Sequence, residues 1–321
     1  MCRSDDLKTD ATLRSPYYDY GEWMRKRFPF KVQKLPIDGG FSCPNRDGRI
    51  GRGGCSFCDN RTFIPRYCQP ERSVRQQIED GKRFFGRKYP DMRYMAYFQS
   101  FTNTYAPLDH LKRLYGEALA CDDIVGIAIG TRPDCISSAL LDYLEQLARQ
   151  TMVVVEYGVE SANDDTLKRI NRGHDFDCSR KAIEATHERG ITTAAHLILG
   201  LPGEPFDELM RQADLIGQLP VDLLKFHQLQ IVSGTRMEQV YRQGGVEPLT
   251  LEGYLHLLAH YLMRLHPQIA IERLASQSPG ELLVAPRWGI KPHELARRLT
   301  AYMNAQGYWQ GKMAEKQGEE R

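Results

Sequence analysis

From about residue 30 to 235 the chain alternates between short β-branched apolar runs and longer stretches whose apolar positions recur every three to four residues. The short runs read as strands at 31–37, 93–100, 124–130, 152–159, 192–200 and 223–232, as in MVVVEYGV at 152–159. Helical spacing occupies the intervals, for example 73–89, 137–150 and 179–190. Asp177 or Ser179 is placed to cap the third of these helices, and Gly190 to end it. Strands separated by helices imply βαβ units, right-handed crossovers and a parallel sheet. Six such units build either an open doubly wound sheet or an incomplete (β/α) barrel. The open sheet would bind its ligand behind a G-x-G-x-x-G turn, and no strand here is followed by one. Polar residues instead sit at the C-terminal ends of several strands: Gln99 and Ser100, Thr131 and Arg132, Glu156 and Glu160, His196, and Lys225 with His227. Residues spread around one rim suit a barrel. The predicted fold class is therefore α/β, an incomplete (β/α)6 barrel of parallel strands with a small C-terminal α/β extension.

Residues 1–20 are expected to be poorly ordered, 21–235 to form the barrel and 310–321 to be a solvated tail. Between them, 236–309 should carry helices near 251–266 and 292–306 around an apolar strand, QIAIERL at 268–274, packed on the barrel's open side.

Composition narrows the classes of function. The 43 basic and 41 acidic side chains nearly cancel, to a formal +2, so nothing pulls the whole chain toward nucleic acid or an anionic membrane. One local exception is MRKRFPFKVQK at 24–34, whose five basic residues form either a phosphate-contacting patch or a solvated edge entering the first strand. No apolar run approaches the roughly 20 residues of a membrane span, and MCRSDDLKTD lacks a signal peptide's apolar segment. Eight cysteines without an export signal point to the reducing cytoplasm and away from disulfides. A chain of 321 residues buries an ample core without a metal. A metal here should do chemistry.

GGFSCPNRDGRIGRGGCSFCDNRTF at 39–63 supplies the candidate ligands Cys43, Cys55 and Cys58, directly after the first strand. Thiolates select zinc or iron–sulfur clusters. A closed zinc site wants four ligands, so His174 or His196 would have to complete a Cys3His set. Three cysteines also suit a [4Fe–4S] cluster, which normally takes four and here would keep one iron open for a reactant. Gly48, Gly51, Gly53 and Gly54 let the intervening loop turn back, and its peptide N–H groups can reach cluster sulfurs.

The Cys55-Ser56-Phe57-Cys58 pattern resembles that of the radical S-adenosylmethionine (SAM) enzymes. GTRPD (130–134), YGVESANDDTLKRINRGH (157–174), LILGLPGE (197–204) and SGT (233–235) resemble the branch containing oxygen-independent coproporphyrinogen oxidase and the catalytic subunit of Elongator. GGFSCPNRDGRIGRGGCSFC and YFQSFTNTYA are closer still to the YhcC-like family, and the likeness covers about residues 30–290. The superfamily's commonest spacing is C-x3-C-x2-C, whereas eleven residues separate Cys43 from Cys55, a lengthened gap that this branch shares.

The resemblance implies a [4Fe–4S] cluster, SAM, an external flavodoxin- or ferredoxin-like electron donor, and hydrogen abstraction from an unidentified small-molecule or RNA substrate. It also implies Phe57 beside the adenine, Glu160 on SAM and Arg172 on the SAM carboxylate. Two departures follow. Ser100 and Phe101 replace a common glycine pair, so Gln99, Ser100 or Thr102 would meet the methionine amine, and His196 replaces an aspartate thought to hold the ribose. Glu156 reads as barrel packing or a partner of Arg132. Lys225, His227 and Arg273 are the substrate-side candidates, and three such groups suit an anionic substrate. Two alternatives stand beside this reading. One is a tRNA-modifying radical SAM enzyme, although the chain leaves no room for a separate acetyltransferase domain. The other is a non-catalytic zinc protein that docks RNA or a partner through 24–34.

Overall fold

Seven parallel strands stand side by side in the order in which the chain visits them. They are β1 (Val32–Ile37), β2 (Arg93–Phe98), β3 (Ile124–Thr131), β4 (Met152–Glu160), β5 (Thr192–Leu199), β6 (Leu223–Gln228) and, beyond a short β7 (Ile231–Val232), β8 (Ala270–Arg273). The structure, a computed structural model, describes residues 15–86 and 89–314. An order without reversal leaves no switch point, so the sheet curls into a half-barrel. The barrel has seven strands where the βα period predicted six, because the QIAIERL run joins the sheet beside β6. The run expected at 223–232 is divided: β7 leaves the sheet and pairs antiparallel with β9 (Leu283–Ala285). Among the described residues, no helix is long and apolar enough to cross a membrane.

The connecting helices are α2 (Val74–Phe85), α3 (Leu108–Leu119), α4 (Ser138–Ala148), α5 (Asp164–Arg169), α6 (Phe176–His187) and α7 (Phe206–Gly217). After them come α8 (Arg236–Arg242), α9 (Leu251–Leu262) and α10 (Pro292–Ala305), and α1 (Tyr20–Arg25) precedes β1. A reciprocal Ser73–Gln76 capping box starts α2, and Gly86, at φ +65°, stops it short of the expected residue 89. Asp175 caps α6, not Asp177 or Ser179: its carboxylate accepts the Cys178 N–H at 2.8 Å. Helix faces and outward strand residues such as Leu35, Phe98, Ile129, Val155 and Leu224 form the main core.

The other face of the sheet is a lumen with two levels. At its base, Trp23 and Met24 of α1 pack on Met95, Ala128, Val154, Ala194, Leu223 and Ala270, so the amino-terminal helix plugs the barrel. The basic stretch 24–34 is thereby divided: Lys26 pairs with Glu22, the Arg27 guanidinium lies 3.6 Å from the Trp23 ring centroid, and Lys34 points into the lumen. It presents no continuous cationic face.

Residues 1–14 and 315–321, which include most of the two expected tails, lie outside the described residues. The rest of both segments is fastened to the body. Ile271 donates to the Tyr18 carbonyl, so residues 18–19 lie along the free edge of β8. The buried Gln310 side chain accepts from Tyr18 N–H at 2.9 Å and donates to the His266 and Ile269 carbonyls at 2.8 Å each.

Candidate active site

A single cavity opens at the C-terminal ends of the strands, and Cys43, Cys55 and Cys58 all line it. The loop that carries them turns back on local bonds: Arg46 N–H to the Cys43 carbonyl at 2.8 Å, and Gly54 N–H to the Asn45 carbonyl at 2.8 Å. Gly48, Gly53 and Gly54 take the positive φ expected of them, at +99°, +80° and +77°. Gly51 does not. It is needed for room instead, since a Cβ there would lie 2.3 Å from Asn45 Oδ1.

Two asparagines fasten this loop to the turn after α5. Asn45 donates to the Asn171 carbonyl at 2.6 Å, and Asn171 donates to the Gly54 carbonyl at 2.8 Å. Ser56 continues the attachment, its N–H meeting the Ile170 carbonyl and its carbonyl accepting from Met237 N–H, both at 2.9 Å. Phe57 lines the cavity and also packs on the small core of Leu167, Ile170, Ile198 and Leu229.

Nitrogen donors surround the thiols. Asn45 Nδ2 is 3.6 Å and Arg172 Nη1 3.5 Å from Cys55 Sγ. Burial and the neighbouring Cys55 push the Cys58 thiol up to about 11, so a metal bound there would displace a proton. Burial works against the Arg172 charge, yet Cys55 and Glu160 hold its guanidinium above the ordinary value. Arg172 also donates to the Gly158 carbonyl, and its Nη2 lies 3.5 Å from Glu160 Oε1. Its Nε is buried without a partner. Arg132 pairs with Asp134 at 2.7 Å and supports the Arg172 carbonyl. It does not pair with Glu156.

Glu156 belongs to the lumen's upper level. Its carboxylate is fully buried and meets Lys34 at 2.7 Å, Lys225 at 2.5 Å and His196 at 3.0 Å. Glu272 takes Lys34 at 2.5 Å and Lys225 at 3.1 Å. Burial alone would raise the Glu156 carboxyl, but Lys225, Lys34 and His196 hold it well below its usual range. Lys225 therefore does not face substrate: it lies beneath the cavity floor, outside the lining. His196 and His227 do line the cavity, their rings 5.4 Å apart, and burial draws both imidazoles down toward the neutral form. His174 is absent from the lining and His196 Nε2 is engaged by Glu156, so neither histidine joins the cysteines.

Of the residues singled out from the sequence, the cavity brings together the three cysteines, Phe57, Gln99, Thr102, Glu160, Arg172, His196, His227 and Arg273. Ser100 is buried outside the lining. Phe101, at the position of the common glycine pair, has φ +61°. The backbone there adopts the left-handed conformation a glycine would take, although the residue is phenylalanine. Sequence reasoning missed Asn45, Arg46 and Asn171. Only the Asn-Arg wording of the two loops, NRDG at 45–48 and NRG at 171–173, hinted at them.

Residues 46–216 match the radical SAM superfamily, and residues 221–305 match the radical SAM C-terminal domain. The chain is 35% identical over 304 residues to YtqA of Bacillus subtilis, spanning 95% of this chain and 94% of YtqA. It is 37% identical over 289 residues to YhcC of Escherichia coli, spanning 90% and 92%. Among solved structures, archaeal Elp3 from Methanocaldococcus infernus with its N-terminus (1–46) deleted superposes with a TM-score of 0.65 over 88% of this chain. This chain spans 64% of that one, and at 16% identity the likeness is one of fold. A thiol-lined rim on a half-barrel and kinship along nearly the whole chain agree: the protein belongs to the radical SAM superfamily of enzymes, in the family of YhcC and YtqA.

Proposed function

We propose that this enzyme binds a [4Fe–4S] cluster on Cys43, Cys55 and Cys58 and cleaves SAM reductively to start a radical reaction on a further substrate. The observation that carries the reading is the convergence of these thiols in one cavity with the residues suited to hold SAM. The donor set fits a cluster: the Asn45 amide and Arg172 guanidinium stand at Cys55, and Arg46 donates to the Cys58 carbonyl at 2.9 Å. Such donors offset thiolate charge and tune the group they surround.

When bound, the cluster would supply the electron that splits SAM into methionine and a 5′-deoxyadenosyl radical able to take a hydrogen atom from substrate. The chain's own residues bind and orient. Arg172, whose Nε is buried without a partner, is assigned to the SAM carboxylate, with Glu160 beside it for the cationic end. Gln99 and Thr102 supply polar atoms at the tip of β2. His196, kept neutral by burial and oriented by Glu156, can hydrogen-bond a ribose hydroxyl, and Phe57 offers a flat apolar surface to adenine. The electron would come from an external flavodoxin- or ferredoxin-like protein.

Anaerobic reconstitution followed by SAM and dithionite tests this. A brown protein with about four irons per chain that forms 5′-deoxyadenosine is expected. A colourless protein that holds one zinc and leaves SAM intact would refute it. Repeating the assay with tRNA and with metabolite extracts, each followed by mass spectrometry, separates an RNA substrate from a small molecule.

A further inference from the structure

We propose that Arg273 anchors an anionic head group of the substrate, a carboxylate or a phosphate, on the β6–β8 wall of the cavity. This rests on the radical SAM reading of the same cavity and adds the substrate's chemical class.

An accounting of side-chain partners singles out Arg273. Four arginines line the cavity. Arg46 is held by the Cys58 carbonyl, Arg132 by Asp134, and Arg172 by Glu160 and the Gly158 carbonyl. The Arg273 side chain makes no hydrogen bond or ion pair with another described residue. Beneath it the lumen is balanced, two lysines against two carboxylates. Lys225 is thus neutralised within the protein, and burial keeps His227 uncharged. Of the three expected substrate-side groups, one free positive charge is left. A partly desolvated guanidinium without a partner is costly and has the geometry to take two anionic oxygens at once.

Its position depends on a register shift. Leu224 pairs with Ile271, but the next residue, Lys225, pairs with Arg273, so Glu272 is the extra residue of a bulge. Regular alternation would send residues 272 and 273 to opposite faces. The bulge lets Glu272 meet the lysines of the floor while Arg273 still reaches the cavity.

The wall beside it is built in advance. The Gln228 side chain accepts from Ser276 N–H at 2.8 Å and donates to the Ser276 carbonyl at 3.0 Å, and Ser278 Oγ meets Gln230 Oε1 at 2.7 Å. Gln277, between the two fastened serines, lines the cavity. His227 is tied through Nδ1 to Ser276 Oγ, and its Nε2 is buried without a partner. Arginine, glutamine and a neutral imidazole nitrogen together suit an oxyanion with a polar neighbour.

The test uses saturation-transfer NMR on reconstituted protein saturated with SAM, with benzoate, phenyl phosphate and benzamide as probes. Both acids should bind roughly tenfold or more tightly than the amide. The stronger acid identifies the head group. Arg273→Gln should abolish the preference, Arg273→Lys should keep part of it, and Lys291→Gln, outside this cavity, should keep all of it. Equal binding of acids and amide, or an unchanged preference in Arg273→Gln, would overturn the proposal. So would a folded Arg273→Gln protein that no longer binds or cleaves SAM, which would assign the arginine to the cofactor. A wild-type protein that never cleaves SAM would instead refute the radical reading while leaving the acid–amide comparison intact.

Discussion

Replacing Glu156 with glutamine removes one charge and hardly any volume, so the cost is electrostatic. In the native lumen two ammonium groups, 14% and 1% exposed, share two carboxylates, 0% and 9% exposed. Glu156→Gln leaves both lysines on Glu272 alone. One buried positive charge is then uncompensated. A unit pair about 4 Å apart at an effective dielectric near 20 is worth about 4 kcal/mol, within the roughly 3–5 kcal/mol found when one partner of a buried pair is removed. At about 2.1 cal/mol/K per residue, a chain of this length has an unfolding entropy near 0.7 kcal/mol/K. The melting temperature should therefore fall by about 6 °C at pH 7, read by calorimetry. The pH dependence has a definite sign. The folded-state value of Glu156 lies well below its ordinary 4.5, so its contribution is present above 4.5 and is lost as pH falls through the depressed value. The difference between variant and wild type should hold above pH 4.5 and narrow progressively as pH falls below it. A variant that melts at or above wild type at pH 7 would refute the balanced-charge account of the lumen.

Four further outcomes follow from the geometry. Cys43→Ala, Cys55→Ala and Cys58→Ala should each reconstitute with little iron and form no 5′-deoxyadenosine, read by iron analysis and mass spectrometry. Asn45→Ala loses the donor shared by the Asn171 carbonyl and Cys55 Sγ, and iron affinity should drop roughly 10- to 100-fold in chelator competition. At Phe101, the left-handed backbone costs a side-chain-bearing residue about 1–2 kcal/mol, while glycine loses about 0.5–1 kcal/mol in chain entropy. Phe101→Gly should thus be near neutral in urea titration, and the β-branched Phe101→Val clearly destabilising. Burial raises the Glu204 carboxyl above 4.5, so its favourable contribution is present below 4.5 and disappears as pH rises through the folded value. Glu204→Gln keeps an oxygen for Ser161 Oγ and Gln212 Nε2 and should melt no lower than wild type at pH 7, with its relative advantage shrinking as pH falls toward 4.5.

The parts of the fold visible in the sequence were those written with a short period. Runs such as 124–130 and 152–159 are strands because β-branched residues fill both faces of a buried parallel sheet, and the C-x2-C pair lies within one turn of chain. Contacts made across long intervals were not visible. Lys34 meets Glu156 across 122 residues and Glu272 across 238, and no local pattern distinguishes such a lysine from one on the surface. For the same reason Lys225 reads from sequence as facing substrate, and Lys34 as part of a phosphate-contacting or solvated basic stretch. Backbone conformation was hidden too: nothing in Gln-Ser-Phe-Thr indicates a left-handed residue, because the constraint comes from the neighbouring loops. The plain wording of QLQ and SQS likewise concealed a clip made by side chains imitating a strand ladder.

The two outermost strands of the half-barrel meet through Lys34 and Glu272, not through a ladder of peptide hydrogen bonds. Six seams of this ring are inextensible, fixed by main-chain geometry, while the seventh is an ionic clasp. The two lips of the half-barrel are thereby tied by side-chain charge, so exchanging either partner would untie them while every strand ladder stayed paired.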